Sequence, residues 1–343
     1  MQKKQLWTMI KNKLHVIVKF FHEKNPINKE KILSLIIFLK RVCKSAFSYI
    51  RRSWKSIAVV VPVFLVLYYV IGGYVTNTID KDTSVEIKSD DQGFDFVATG
   101  AFLIKREVDD HMWTPNLPFI FPGYVLDNMP SFQTGILHSV KTSVKSLSSV
   151  YETDDINQAL KLLKYPTNIW ILSKGENLAL APSSGAQYRK ARKEMLNFNK
   201  NTDFAASDNK KVFLSFLTAM EKDLKKITDN IENQVREFSV DWIDFRADNI
   251  FYLNQGKIYG HYILLKAASQ DFKHLIIETK QYEKLTSLLK YLEDAIMLNP
   301  IIVRNGQIES ITGSNHLMVL NYYITKSCYI LNQIKDNIIR DVQ

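Results

Sequence analysis

One segment limits the possible folds of this 343-residue chain more than any other: residues 56–79 contain no charged side chain. Its centre, residues 57–75, is almost entirely apolar (IAVVVPVFLVLYYVIGGYV). As an α-helix this centre would be about 28 Å long, close to the roughly 30 Å hydrocarbon core of a bilayer. Residues 56–79 therefore predict one transmembrane helix. A buried core helix is the alternative, but such helices rarely run this long with arginines at one edge.

The charge of the chain is divided unequally by this segment. Residues 1–55 hold 14 Lys and Arg and two acids, a net of +12, whereas the rest has 31 basic and 33 acidic residues, a net of −2. Excess Lys and Arg marks the cytoplasmic flank of a span, so we expect residues 1–55 inside and the C-terminal domain outside. A nucleic-acid-binding domain would carry its basic patch on the folded part, so no nucleic-acid partner is expected.

Two shorter apolar patches, residues 14–21 and 32–39, are interleaved with lysines in the basic segment. Neither can cross a bilayer. They resemble basic amphipathic helices, broken at Asn25-Pro26, that lie on the membrane surface. The lipid bilayer is therefore one expected partner. The alternative is a cytosolic segment that docks a partner protein.

The remaining sequence predicts a polar linker at residues 80–93 and an all-α domain at residues 94–343, bundle-like in its helix-on-helix packing. An aromatic, proline-rich stretch at residues 111–130 is expected to be irregular but packed against the domain. Residues 168–172 are the only plausible strand. Apolar spacing predicts helices at residues 94–108, about 130–150, 209–238, and about 241–268, 279–298 and 314–340. Capping residues predict two more helices, one that begins after Thr153 and ends before Pro166, and one that begins after Ser183 or Ser184. Ser207 is the expected cap of the helix at 209–238.

The expected longest helix, residues 209–238, carries apolar residues at alternating spacings of three and four. This spacing is close to a heptad seam, which either packs inside the domain or pairs with a second copy in a homodimer. The chain has two cysteines, Cys43 and Cys328, on opposite sides of the expected span. They cannot pair with each other, so the domain is expected to fold without a disulfide.

Carboxylates form the main candidate catalytic groups. Asp109, Asp110 and His111 could bind a metal or transfer protons, or could simply mark a helix end. Asp241, Asp244 and Asp248 are spaced i, i+3, i+7 and share one helical face with Arg246 nearby. A cation, Arg246 or a basic partner helix could neutralise them. The alternative is an acid in the first helical turn at Asp241 together with buried salt bridges.

Gly256 and Gly260 lie among Tyr252 and Tyr259, which predicts a helix face that another backbone approaches closely. Packing explains this pattern, and a ligand-lining groove with Arg246, Tyr252 and Tyr259 as binding residues is the alternative. The sequence has no nucleophile elbow, phosphate-binding loop, dinucleotide fingerprint, zinc spacing or calcium loop. We therefore expect no cofactor and no metal.

Several short segments occur along the chain in a distinctive order. They are VDDHMWTPN at 108–116, LDNMP at 126–130 with Gln133 and Gly135, LKYP at 163–166, YRKAR at 188–192, DFRADNIFY at 244–252 with Gly256 and Tyr259, and NHL at 315–317. In this order they resemble a known family, the proteobacterial domain of unknown function 2333. The resemblance runs from about residue 51 to the C-terminus and leaves residues 1–50 without a counterpart. It implies a single-span protein of the bacterial inner membrane with a periplasmic domain, and it supplies no catalytic residues.

Three functions fit this sequence. The first is an envelope scaffold or adaptor that binds other envelope proteins, since no catalytic constellation is visible. The second is a periplasmic hydrolase of cell-wall material that uses Asp109, Asp110, Asp244 or Asp248. The third is a lipid- or small-ligand-binding helical domain, with its groove near Tyr252 and Tyr259. The hydrolase requires the carboxylates to meet in one cleft.

Overall fold

A computed structural model describes residues 29–89, 93–171, 180–238, 245–300, 302–305 and 315–340. The expected helix at 14–21 and the break at Asn25-Pro26 lie outside these residues. The fold class is all-α, as predicted, and the described residues form no strand. The helices are α1 (Lys29–Thr76), α2 (Asp95–Lys105), α3 (Asn128–Ser148), α4 (Asp154–Leu163), α5 (Ser184–Asn201), α6 (Asn209–Phe238), α7 (Phe245–Asp271), α8 (Lys273–Glu278), α9 (Tyr282–Ile296) and α10 (His316–Arg340).

Helix α1 is 48 residues long and contains a 22-residue stretch, Lys55–Thr76, that is long and apolar enough to cross a membrane. Only 6% of its most apolar window is buried. The sequence predicts a separate helix at residues 32–39, but these residues belong to α1. The sequence also predicts that residues 209–238 form the longest helix, but α1 is longer. Residues 40–55 contain neither Pro nor Gly, so nothing breaks the helix between the basic patch and the apolar stretch.

The boundary between two compact units falls between Leu67 and Tyr68, and the second unit holds all the helices after α1. Helix α7 is the central helix of this unit, because it is buried on nearly every side from Phe251 to Leu265. It packs most extensively on α3, and also on α2 and α9. Helices α6 and α10 pack together, as do α4 and α5.

Glycines allow α3 and α7 to pack backbone against backbone. A Cβ atom on Gly256 would lie 2.1 Å from the Phe132 carbonyl oxygen, and one on Gly135 would lie 2.2 Å from that of Leu253. A Cβ atom on Gly260 would overlap Ser139. The predicted close approach at Gly256 and Gly260 is confirmed. This contact brings the side chains of α7 within reach of those on α3 and α6.

Other boundaries differ from prediction for local reasons. Ser183 is the N-cap of α5 and accepts from Ala186 N, as expected, but Ser207 lies in a 3-10 turn ahead of α6. Residues 168–171 form no strand, because Ile169 bonds through both N and O to Ser184 at the start of α5. The helix expected at 279–298 begins only at Tyr282, because Lys280 adopts a φ of 55° after α8.

The heptad-like seam of α6 is buried within its own chain. Helix α6 packs on α3 and α10 along this seam. The seam residues with no exposed surface are Phe213, Leu217, Met220, Leu224, Ile227 and Ile231. The polar segment after α1 also contacts the domain: Lys81 donates to the Leu298 carbonyl, and Tyr259 donates to that of Asp82.

Candidate functional site

A buried carboxylate lies between two histidines where α3, α6 and α7 meet. Asp223 on α6 accepts through one oxygen, Oδ2, from His138 Nδ1 on α3 at 3.1 Å and from His261 Nε2 on α7 at 2.8 Å. Asp223 is 4% exposed and His261 is fully buried, whereas the side chain of His138 keeps 35% of its surface exposed. His138 therefore links the buried carboxylate to solvent.

Asp223 is held ionised by these neighbours. Burial alone would raise the pKa of its carboxyl group. The hydrogen bonds from His138 and His261, together with their charge, outweigh burial and hold the pKa of Asp223 well below its usual range. An ionised carboxylate that accepts from Nδ1 of a histidine fixes the ring orientation and leaves Nε2 free to act. In His138 that free nitrogen belongs to the partly exposed ring.

His138 and Asp223 form part of the wall of an open cleft of about 670 Å³. Helix α3 supplies residues at helical spacing from His138 to Ser149, α6 supplies those from Leu214 to Lys226, and α4 closes one side. Five of the fifteen lining residues are lysines and only Asp223 is acidic. The lysines are Lys141, Lys145, Lys164, Lys222 and Lys226.

Among the described residues, none of the five cleft lysines has a carboxylate within ion-pairing distance. By contrast, Lys225 on α6 and Lys335 on α10 share Glu221. Burial lowers the pKa of Lys141. The negative charge of Asp223 raises this pKa, whereas the positive charges of Lys257 and Lys164 lower it further. The pKa of Lys257, behind the cleft, is lowered in the same way. Crowded cations of this kind are relieved by a bound anion.

Hydroxyl groups line the cleft between the lysines. Thr142 and Thr218 lie on the facing helices α3 and α6, and Ser149 and Ser215 contact each other at 3.0 Å. Both serines also donate to the Ser146 carbonyl. Ammonium groups and hydroxyls are the side chains that bind phosphate or carboxylate oxygens. The cleft is thus chemically suited to an anion, with the imidazole of His138 at one side.

The carboxylates singled out from the sequence are not in this cleft. Asp109 forms an ion pair with Arg189 at 2.5 Å, and Asp110 forms one with Lys105 at 2.8 Å. His111 Nδ1 lies 3.6 Å from the buried Glu107. These residues end α2 in a single π-helical turn, Arg106–Asp110, which Met112 leaves with a φ of 61°. This geometry fits the alternative interpretation, in which Asp109, Asp110 and His111 mark the end of a helix.

The second group of carboxylates lies at the start of α7. Asp241 and Asp244 fall outside the described residues. Burial raises the pKa of Asp248, the nearby charge of Asp127 raises it further, and a hydrogen bond with Asn128 opposes both. Tyr252 is buried near the same two carboxylates. Among the described residues, no hydrogen bond or ion pair brings Asp248 together with Asp109 or Asp110, so catalysis by these groups stays a hypothesis.

Arg246 and Tyr259, the other proposed binding residues, lie apart from one another. The exposed Arg246 guanidinium stacks on the ring of Phe238 at 3.7 Å. Tyr259 is fully buried and accepts from Arg106 Nη1 at 2.6 Å. Arg106 is itself buried against Glu107 at 2.7 Å and Asp80 at 3.3 Å. Tyr259 therefore belongs to a buried ion-pair network that fixes α2 to α7.

The cleft is not predicted from the sequence. The available signal was a stripe on α3, where His138, Lys141, Thr142, Lys145 and Ser149 recur at spacings of three and four opposite the apolar face. Such a stripe is usually a solvated helix surface. It becomes a site only because α6 presents a second polar stripe to it.

The fold is an all-α domain with a lysine-lined cleft, and the chain also contains a helix long and apolar enough to span a membrane. The model of one family, described as an uncharacterized protein conserved in bacteria (DUF2333), matches residues 118–339. This match covers well over half of the chain, so the protein belongs to that family, as the resemblance indicated. All the cleft residues lie inside the match, whereas residues 108–116 lie before it. No curated protein and no solved structure matches the chain.

Proposed function

We propose that this protein is a single-span bacterial inner-membrane protein whose periplasmic domain binds an anionic ligand in the lysine cleft. The observation that carries the proposal is a cleft of about 670 Å³ lined by five lysines that form no ion pair with any carboxylate of the described residues. The one acidic residue in its lining, Asp223, is already engaged by two histidines. The size of the cleft suits a small molecule. Of the three functions that fit the sequence, anion binding corresponds to the third, a lipid- or small-ligand-binding domain. The proposed binding site lies between α3 and α6, however, and not near Tyr252 and Tyr259.

The ligand class follows from the lining. Five ammonium groups with hydroxyls between them favour a ligand with several anionic oxygens, such as a phosphate ester or a polycarboxylate. The inner membrane and the orientation rest on the bacterial family and on the basic residues before the apolar stretch of α1. An envelope adaptor would use the same anchor, and the cleft would then receive an acidic segment of its partner.

The experiment measures thermal unfolding of the full chain in detergent micelles with inorganic phosphate, pyrophosphate and citrate. Each anion that binds the native cleft raises the unfolding midpoint, by an amount that grows with the logarithm of its concentration divided by its Kd, and added sodium chloride weakens the effect. In the test variant Lys141, Lys145 and Lys222 are each replaced by Gln. In the control variant the same change is made at three lysines outside the cleft, Lys161, Lys190 and Lys193.

We expect pyrophosphate or citrate to raise the midpoint in the wild type and the control variant and to lose at least tenfold in affinity in the test variant. Equal responses in the two variants would place the anion elsewhere. No response to any of the anions in the wild type would overturn the proposal.

A hydrolase is the second candidate, and the observation that favours it is the His138–Asp223 pair. A partly exposed imidazole oriented by a buried carboxylate is the arrangement of a general base. If the cleft hydrolyses its ligand, His138→Gln will abolish turnover of a phosphate ester while pyrophosphate binding changes by less than about threefold. Turnover that survives His138→Gln would exclude this role.

A further inference from the structure

A loop beside the end of α1 presents large apolar side chains to the outside. Residues 117–126 (LPFIFPGYVL) contain no charged residue. Phe119 is 69% exposed, and Ile120, Tyr124 and Val125 are each more than half exposed. The sequence predicts that this region packs against the domain. Trp113 does so, but the tip of the loop does not.

This loop lies along the last turns of α1. Tyr68 donates its hydroxyl hydrogen to the Ile120 carbonyl at 2.8 Å, and Tyr69 donates to that of Phe119. Gly72 makes the contact possible, because a Cβ atom there would lie 2.5 Å from the Pro122 ring. The loop therefore runs back toward Tyr68, eight residues before the end of the helix, a distance of about 12 Å at 1.5 Å per residue.

Carbonyl groups of the loop accept hydrogen bonds both from α1 and from within the loop. Besides the two tyrosine bonds, Pro118 O accepts from Phe121 N, Phe121 O accepts from Tyr124 N, and Gly123 O accepts from Leu126 N. Pro118 and Pro122 have no N–H to satisfy. Irregular backbone is excluded from hydrocarbon chiefly because its polar groups lack partners there. In this loop the two tyrosines of α1 and two 3-10-type turns supply partners.

A second segment extends the same surface. The ring of Trp170 contacts that of Phe121 edge-on, with centroids 5.9 Å apart. Trp170 and Ile171 are both more than one-third exposed. The preceding Ile169 is fixed to the loop, because Asn116 donates to its carbonyl at 2.8 Å. Tryptophan and tyrosine are the residues enriched where protein meets the headgroup region.

We propose that residues 117–126, with Trp170 and Ile171, form a membrane-insertion surface that enters the outer half of the bilayer beside the span. The occupant is lipid, because the surface is continuous with the apolar helix, carries no charge and reaches about 12 Å back along that helix. Phe119 and Ile120 would lie deepest, and Tyr124 and Trp170 at the headgroups. This inference rests on the proposed membrane anchoring, and it makes the domain a body held on the membrane surface.

The test places spin labels on the full chain in vesicles of phosphatidylethanolamine and phosphatidylglycerol. In a background with Cys43→Ser and Cys328→Ser, single cysteines replace Phe119, Tyr124, Val66 and Tyr282 in turn. Accessibility to oxygen, which concentrates in lipid, is compared with accessibility to a water-soluble nickel complex. Val66 reports on the span, and Tyr282, which is 67% exposed on the domain, is the matched water-exposed control.

We expect the ratio of oxygen to nickel accessibility at Phe119 to resemble that at Val66, and the ratio at Tyr124 to lie between those at Val66 and Tyr282. At both Phe119 and Tyr124 the ratio should be at least threefold higher than at Tyr282. Labels at Phe119 and Tyr124 that match Tyr282, while Val66 reports lipid, would overturn the insertion surface and leave the anchor intact. A water-exposed label at Val66 would overturn both.

Discussion

The ionisation of Asp223 makes the free energy of unfolding of the domain depend on pH. An unfolded aspartate titrates near pH 3.9, whereas burial opposed by His138 and His261 leaves the pKa of Asp223 in the folded chain well below that value. Between the two values the unfolded chain binds more protons, so the contribution of Asp223 is complete above about pH 4 and is lost as pH falls further. We expect Asp223→Asn to lower the free energy of unfolding by about 2 kcal/mol at pH 7.

The measurement is chemical denaturation of wild type and Asp223→Asn in detergent at pH 7 and pH 3. The difference between the two proteins should be smaller at pH 3, where the wild-type carboxylate no longer contributes fully. A difference that grows as pH falls would show that Asp223 is not held ionised by the histidines.

Arg106 gives a second test at the scale of single residues. Its guanidinium is 5% exposed and contacts Glu107, which is 4% exposed, so removing the cation leaves a buried carboxylate without its partner. We expect Arg106→Met to destabilise the domain by about 3–5 kcal/mol. Adding Glu107→Gln should recover part of the loss, because the buried charge is then gone. Lys290→Met, which breaks an exposed ion pair with Asp294, should leave the unfolding midpoint nearly unchanged.

At the scale of elements, the contact between α3 and α7 decides the geometry of the cleft. Gly256→Ala would push a methyl group to 2.1 Å from the Phe132 carbonyl oxygen, and only separation of the two helices relieves that clash. We expect a loss of about 3 kcal/mol in unfolding free energy and a weaker response to pyrophosphate.

Gly100→Ala is the matched control for this change. Its Cβ atom would meet the flexible end of Met195 at 3.0 Å, and alanine favours a helix over glycine by about 1 kcal/mol. The control should therefore stay within about 1 kcal/mol of wild type. If Gly256→Ala and Gly100→Ala changed the unfolding free energy equally, α3 and α7 could move apart without a loss of stability.

The same elements show what a sequence can reveal. The apolar stretch of α1, the bounds of α6 and the glycine face of α7 are local patterns, and all three are found in the structure. The cleft is not local: His138 and Asp223 are 85 residues apart, and His261 follows 38 residues later. Spacing within one helix cannot show which polar stripe another helix will face. The sequence predicts Asp109 and Asp110 as a candidate site because neighbouring carboxylates can be seen without knowing the fold.

At the scale of the whole molecule, the proposed orientation makes a prediction about both ends of the chain. The 14 basic residues before the span should hold the first segment in the cytoplasm, so the domain with its lysine cleft should lie in the periplasm. A reporter that is active only outside the cytoplasm, fused after Gln343, should be active in bacterial cells. The same reporter fused after Ile50, before the apolar stretch, should be silent. Silence of the fusion after Gln343 would reverse the orientation, and the cleft would then face cytoplasmic anions.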